Sequence, residues 1–231
     1  MKSKLIRTAI FLHAVLFGGC TKDSISTTLN YSFSLLNQSA VVSTVGASGT
    51  PIAMGTNGSI NWTSASLNIA KVEFSAVHAG KTASFESKNL FGINPFKADS
   101  LSGSITIPLG VYENLRFKLT LNESPTNPPI VLNGTYIEVS GTKIPVIVTL
   151  NSAQSFIKEA SRIEVSTGTY VAKVKLELNA MVKGLMASDF GQTTRTGVNN
   201  SILVNSTTNR ALFEKLSARI VNTISVSVVK K

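Results

Sequence analysis

Residues 115–121 alternate without a break. Leu115, Phe117, Leu119 and Leu121 are apolar, and Arg116, Lys118 and Thr120 between them are polar. Successive side chains of a strand point to opposite faces, so a period of two puts one face in a core and the other toward water. The same period recurs at Tyr31, Phe33 and Leu35, at Ile105 and Ile107, and at Ile224, Val226 and Val228. It also runs through Tyr170, Ala172, Val174, Leu176 and Leu178. Many short strands of this kind, with turn residues between them, indicate a mainly β chain folded as an antiparallel β-sandwich.

Between these strands the pattern is less regular. A short strand is expected at residues 59–62 and a long one at 66–77. In the long one, Leu67 and Ile69 share one parity while Val72 and Phe74 take the other, which places a β-bulge near Ala70. Ala79-Gly80-Lys81 reads as a turn into a strand at 82–87. Residues 89–101 read as a loop with Leu90, Phe91 and Phe96 packing back. Residues 130–140 and 143–150 form a hairpin through Ser140-Gly141-Thr142. Short β runs are expected at 41–45, 162–165 and 201–204, and a Gly-, Ser-, Thr- and Asn-rich loop at 46–58.

The helical period is confined to the C-terminal third. Leu212, Leu216 and Ile220 fall at i, i+4 and i+8, so a helix is expected over 209–221, capped by Asn209 or Thr208. A second, short helix is expected within 179–187. The chain thus divides into a β-sandwich at 30–150 and a β-rich extension at 151–231, packed on the same domain.

The N-terminus has a different character. Lys2, Lys4 and Arg7 precede a ten-residue run, 8–17, that is apolar apart from His13. A membrane span needs roughly 20 such residues, so the run suits a signal peptide instead. It ends in Leu16-Phe17-Gly18-Gly19-Cys20, which holds the only cysteine of the chain. This stretch resembles the lipobox of bacterial lipoproteins. The resemblance implies a signal peptide at 1–19, cleavage before Cys20, a diacylglycerol thioether on Cys20 and a polar tether at 20–29. Two or more acyl chains anchor a protein stably in a membrane. Thr21 stands where Asp would retain an enteric-type lipoprotein at the inner membrane. An outer-membrane address follows, facing the periplasm or the outside.

Removing residues 1–19 takes away three basic residues and no acidic one, so the formal charge falls from +10 to +7. Such a surface could face anionic lipid, lipopolysaccharide or acidic glycans, but Lys71, Lys173 and Lys175 alternate with apolar residues along strands, which favours an ordinary solvated face. No cluster of Lys and Arg interleaved with aromatics points to nucleic acid. With Cys20 lipidated, no disulfide within the chain is possible, and stability rests on packing.

Ile107-Pro108-Leu109-Gly110-Val111-Tyr112, running into Leu115-Arg116-Phe117, resembles the I-P-x-G-x-Y corner of carboxypeptidase-regulatory or prealbumin-like sandwiches. Pro ends one strand, Gly permits the reversal, and Tyr packs as the next strand begins. With residues 62–74 and 209–216, this corner resembles a group of uncharacterised gut-bacterial lipoproteins. The likeness covers about two-thirds of the chain after Cys20. It implies a fold and an address, and it carries no catalytic residue.

Catalytic chemistry finds little support. His78 is the one histidine after Cys20, which disfavours a histidine-based triad and a zinc or copper site. Ala79-Gly80-Lys81-Thr82 mimics the end of a P-loop, but Ser75 stands where its first Gly belongs and a β pattern follows. Ser155-Phe156-Ile157-Lys158 matches S-x-x-K without the partner motifs of penicillin-recognising enzymes. Glu73, Glu86, Asp99, Glu113, Glu123 and Glu138 could supply a glycosidase pair only if two of them meet. No catalytic or metal residue is assigned, and no cofactor is expected beyond the lipid on Cys20. Trp62 and Tyr112 could form a sugar-stacking platform, or could pack in the core and at the corner.

The expectation is therefore a lipid-anchored, non-enzymatic binding or accessory module with a glycan or protein ligand. The alternative is a structural or anchor subunit of a surface appendage or envelope complex, its sheet completed by a partner chain at residues 224–229. A glycan hydrolase ranks third.

Overall fold

The computed structural model describes residues 26–43, 57–97, 101–196, 198–220 and 222–231. The expected signal peptide, Cys20, residues 21–25 of the expected tether, most of the expected 46–58 loop and Asp99 lie outside the described residues.

One long strand is the spine. β3 (Gly58–His78) runs the length of the larger sheet. Its first half pairs with β2 (Ser39–Val42) and β7 (Ile130–Ile137). Its second half pairs with β4 (Lys81–Ile93) and β6 (Gly110–Leu121). Beyond β7 come β8 (Lys143–Leu150) and β11 (Ile202–Val204), and beyond β6 comes β9 (Gln154–Val165). The smaller sheet has the order β12 (Ile224–Lys230), β10 (Thr169–Glu177), β1 (Ser26–Leu36), β5 (Leu101–Pro108). Three short helices, α1 (Leu178–Val182), α2 (Ala187–Gly191) and α3 (Arg210–Ile220), complete the fold.

The two sheets pack face to face. Phe33, Val174, Leu176 and Ile224 from the smaller sheet meet Leu67, Ile69, Leu119, Leu121 and Ile130 from the larger one. The void left among them is only about 10 Å3. Close packing of this kind, rather than any disulfide, holds the described fold together.

Several expectations need correction. The sandwich is not wholly antiparallel: β1 pairs in parallel with β10, and β11 in parallel with β8. Both parallel pairs join strands remote in sequence, where no hairpin imposes an antiparallel direction. Residues 26–29 are not tether but the start of β1, with Leu29 buried. Residues 59–62 and 66–77 are one strand. The buried face shifts parity twice along it, from Trp62 to Ala65 and from Ile69 to Val72. The second shift falls where the bulge near Ala70 was expected; the first coincides with a register shift between Trp62 and Ser64. Residues 89–93 extend β4 rather than forming a loop, with positive φ at Asn89 and Gly92 interrupting its alternation. Residues 151–231 contribute strands to both sheets: β9 pairs with β6, β10 with β1 and β11 with β8.

The helix at 209–221 is observed as Arg210–Ile220, burying Leu212, Leu216 and Ile220. Its start is held differently from the expectation. The backbone carbonyl of Asn209 accepts from the Leu212 and Phe213 amides. The Asn209 side chain instead donates to the carbonyls of Thr194 and Leu203 and accepts from the Thr194 amide. It ties the preceding loop to the helix rather than capping it. The expected single helix at 179–187 is two helices, α1 and α2, separated by Gly184 at φ +77°.

Candidate binding seam

The I-P-x-G-x-Y corner joins β5 to β6. Tyr112 is fully buried, and its hydroxyl donates to the Pro108 carbonyl at 2.8 Å. Burial holds its phenol above the usual range. His78 stacks on the Tyr112 ring, and its Nδ1 lies 3.1 Å from the Val111 carbonyl. A carbonyl only accepts, so Nδ1 carries the proton. Gly110 sits at φ +144°, and a Cβ there would fall 2.2 Å from His78 Cε1. The position needs glycine both for its backbone angle and for the space.

Trp62 lies elsewhere on the spine. It is 2% exposed and lies against Gly134 of β7, where an added Cβ would come within 2.9 Å of its ring. Tyr112 pairs with His78 at the other end of β3. The platform suggested by sequence does not form: the rings are buried and apart. Each takes the packing role that the sequence also allowed. The Trp62 indole N–H has no hydrogen-bond partner among the described residues.

The carboxylates are likewise dispersed or neutralised. Glu73 and Glu86 sit directly opposite each other on β3 and β4, and Lys71 bridges them at 2.5 and 3.4 Å. Lys88 adds a second contact to Glu86 at 2.6 Å. The hydrogen bond from Lys88 lowers the Glu86 pKa, which disfavours Glu86 as a general acid. Glu138 pairs with Arg195 at 2.6 Å, and Glu113 lies opposite Arg162. Ala79 and Gly80 form a two-residue hairpin turn with φ of 50° and 75°, not a phosphate loop. Ser155 and Lys158 lie on one strand, three residues apart, so they point to opposite faces. Among the described residues, no group of three or more His, Cys, Asp or Glu is placed to hold a metal. No helix of the described residues is long and apolar enough to cross a membrane.

The feature that sequence did not reveal is the margin between β9 and β12. At the opposite margin β4 and β5 come together. Here the two sheets meet only loosely and leave a recess of about 320 Å3. Its walls are Phe74 of β3, Leu115 and Phe117 of β6, Ile163 of β9, and Val226 and Val228 of β12. Lys158, Glu159 and Arg162 frame the mouth. Register places Lys158 opposite Phe117 and Ala160 opposite Leu115, so both share the inward face of β9. A lysine on the inward face of an edge strand disfavours further pairing there. The recess is the size of a small binding site, with mostly apolar walls and few charges.

A second recess, about 500 Å3 and more polar, lies between β2 and α1. Nearby, Asp189 at the start of α2 receives Lys215 at 2.5 Å and the Met186 amide at 2.9 Å. Burial raises the Asp189 pKa, but Lys215, the amide and Arg219 outweigh it, and the net shift is downward. These contacts fasten α2 to α3.

The alternation at 115–121 and 224–228 marked which side chains face inward. That the margin between β9 and β12 has no cover among the described residues depends on how two distant segments meet, and no local signal reports it. Comparison with protein-family models, with curated proteins and with solved structures found no match in any of the three.

Proposed function

We propose that the chain is a lipid-anchored envelope lipoprotein whose β-sandwich is a non-enzymatic binding or accessory module, with the β9–β12 seam as its contact surface. The anchor rests on Leu16-Phe17-Gly18-Gly19-Cys20 and the basic-apolar leader before it. The observation that carries the binding role is the seam itself: an apolar recess bordered by two strands, each of which has one edge without a strand partner among the described residues. A protein partner suits this surface better than a glycan, because Trp62 and Tyr112 are buried and the walls are aliphatic and phenylalanine side chains.

The alternative, a structural or anchor subunit, is favoured by one observation. β12 pairs only with β10 among the described residues, and residues 224–229 carry no charge to guard its free edge.

The test uses the full chain with Cys20→Ala, binding to isolated outer-membrane vesicles and cell-wall sacculi. Ala160→Arg places a bulky charge in the seam, and Ser84→Arg on β4 is the control. Loss of binding by about tenfold or more in the seam variant alone supports the reading. Equal binding by both variants overturns it.

A further inference from the structure

We infer that the seam is a self-association surface: two copies of this chain pair antiparallel, across a two-fold axis, through the edge of β12 that has no strand partner among the described residues. The inference rests on the proposed reading of the seam as a contact surface. Two edges border the seam, and charge distinguishes them. β9 carries Lys158, Glu159, Arg162 and Glu164 and turns Lys158 inward. β12 presents Ile224, Ser225, Val226, Ser227, Val228 and Val229, uncharged and mostly β-branched. A strand can therefore be added at β12 and not at β9.

The side-chain pattern then specifies the occupant. A strand added to β12 must turn aliphatic residues toward the recess and small polar ones toward water. Ile224, Val226 and Val228 of β12 are half-buried on the recess side, and Ser225 and Ser227 are exposed on the other. A second copy of β12 meets its own requirement. Antiparallel pairing centred on Val226 sets Val226 against the partner's Val226, Ile224 against the partner's Val228, and Ser225 against the partner's Ser227. Residues directly opposite share a face, so Ile224, Val226 and Val228 stay in the core layer and Val229 stays on the exposed face with the serines. A slip of one residue would bring serines into that layer. The charges agree with this direction. Lys230 then falls beyond the start of the partner's β12, whereas parallel pairing would set Lys230 against the partner's Lys230. The smaller sheets then join into one continuous sheet, and the partner's aliphatic residues cover the mouth of the recess. A two-fold interface is isologous, as self-complementary edges require.

The experiment uses the full chain with Cys20→Ala, so that an engineered cysteine is the only thiol. A single added strand makes a small interface, and sedimentation is expected to show a monomer–dimer equilibrium in the range of about 1–100 μM. Val226→Cys should form a disulfide-linked dimer at least about tenfold faster than Ser84→Cys on β4, because the two-fold axis brings Val226 beside itself. The double variant Ser225→Lys with Ser227→Lys leaves the core untouched and sets like charges opposite each other. It should weaken the dimer by about tenfold or more. A chain that stays monomeric across that range, with Val226→Cys cross-linking no faster than Ser84→Cys, overturns the inference. If that monomer still loses vesicle or sacculus binding on Ala160→Arg, the seam remains a contact surface and self-association alone is wrong.

Discussion

His78 stacks on Tyr112 with ring centres 4.7 Å apart and planes within 23° of each other. The pair locks the corner where β5 turns into β6, because the same two residues also bond to the Pro108 and Val111 carbonyls. Gly110 passes beneath the imidazole with no room for a side chain. The corner is thus a joint of five residues, and it makes separable predictions.

Gly110→Ala is expected to destabilise the fold by at least about 2 kcal/mol in urea titration, from left-handed backbone strain and the clash with His78. In a His78→Ala background the clash is gone, and the same substitution should cost clearly less. Equal costs in both backgrounds would mean that His78 does not press on Gly110.

Tyr112→Phe keeps the ring and removes the hydroxyl that donates to Pro108. The expected loss is about 1 kcal/mol, with an unchanged denaturant slope, since one neutral hydrogen bond is removed and the core stays filled. The Pro108 carbonyl, left without this donor, sets the upper end of the effect.

Phe190 is 1% exposed and stacks on Tyr136 at 4.5 Å and 16°. It is the one buried side chain of α2. Phe190→Ala should cost about 3–5 kcal/mol and raise amide exchange first in α2.

Asp189 gives the fold an acid-sensitive latch. Its folded pKa lies below the ordinary 3.8, with Lys215, the Met186 amide and Arg219 outweighing burial. A depressed carboxylate pKa contributes stability that is present above the unfolded value and lost as pH falls through the folded one. Comparing urea midpoints from neutral pH down to below that folded value, Asp189→Asn should remove part of the acid-dependent loss. Parallel curves for the wild type and the variant would contradict the assignment.

How much of this was legible in the sequence follows from periodicity. β6 alternates cleanly because one face is buried along its length, and it was readable for that reason. In sequence β3 reads as two strands because its buried face changes parity at Trp62–Ala65 as well as at Ile69–Val72. β9 was readable only in its last four residues. As an edge strand it buries only Phe156 and Val165, and residues 157–162 are exposed. The 26–29 segment looked like tether because Ser26, Thr27 and Thr28 are polar, although Thr27 bonds the Gly168 carbonyl and Leu29 is buried. The corner at Pro108–Tyr112 was visible because its chemistry is local. The seam was not, because it is made by β3, β6, β9 and β12 together.

The most direct test of the central claim lies at Cys20. Cells expressing the wild type and Cys20→Ala are labelled with palmitate and fractionated. The account expects label on the wild type in the outer-membrane fraction, and a Cys20→Ala chain that carries no label and leaves that fraction. A wild type that takes up no palmitate, or a Cys20→Ala chain that stays membrane-bound as the wild type does, would contradict it.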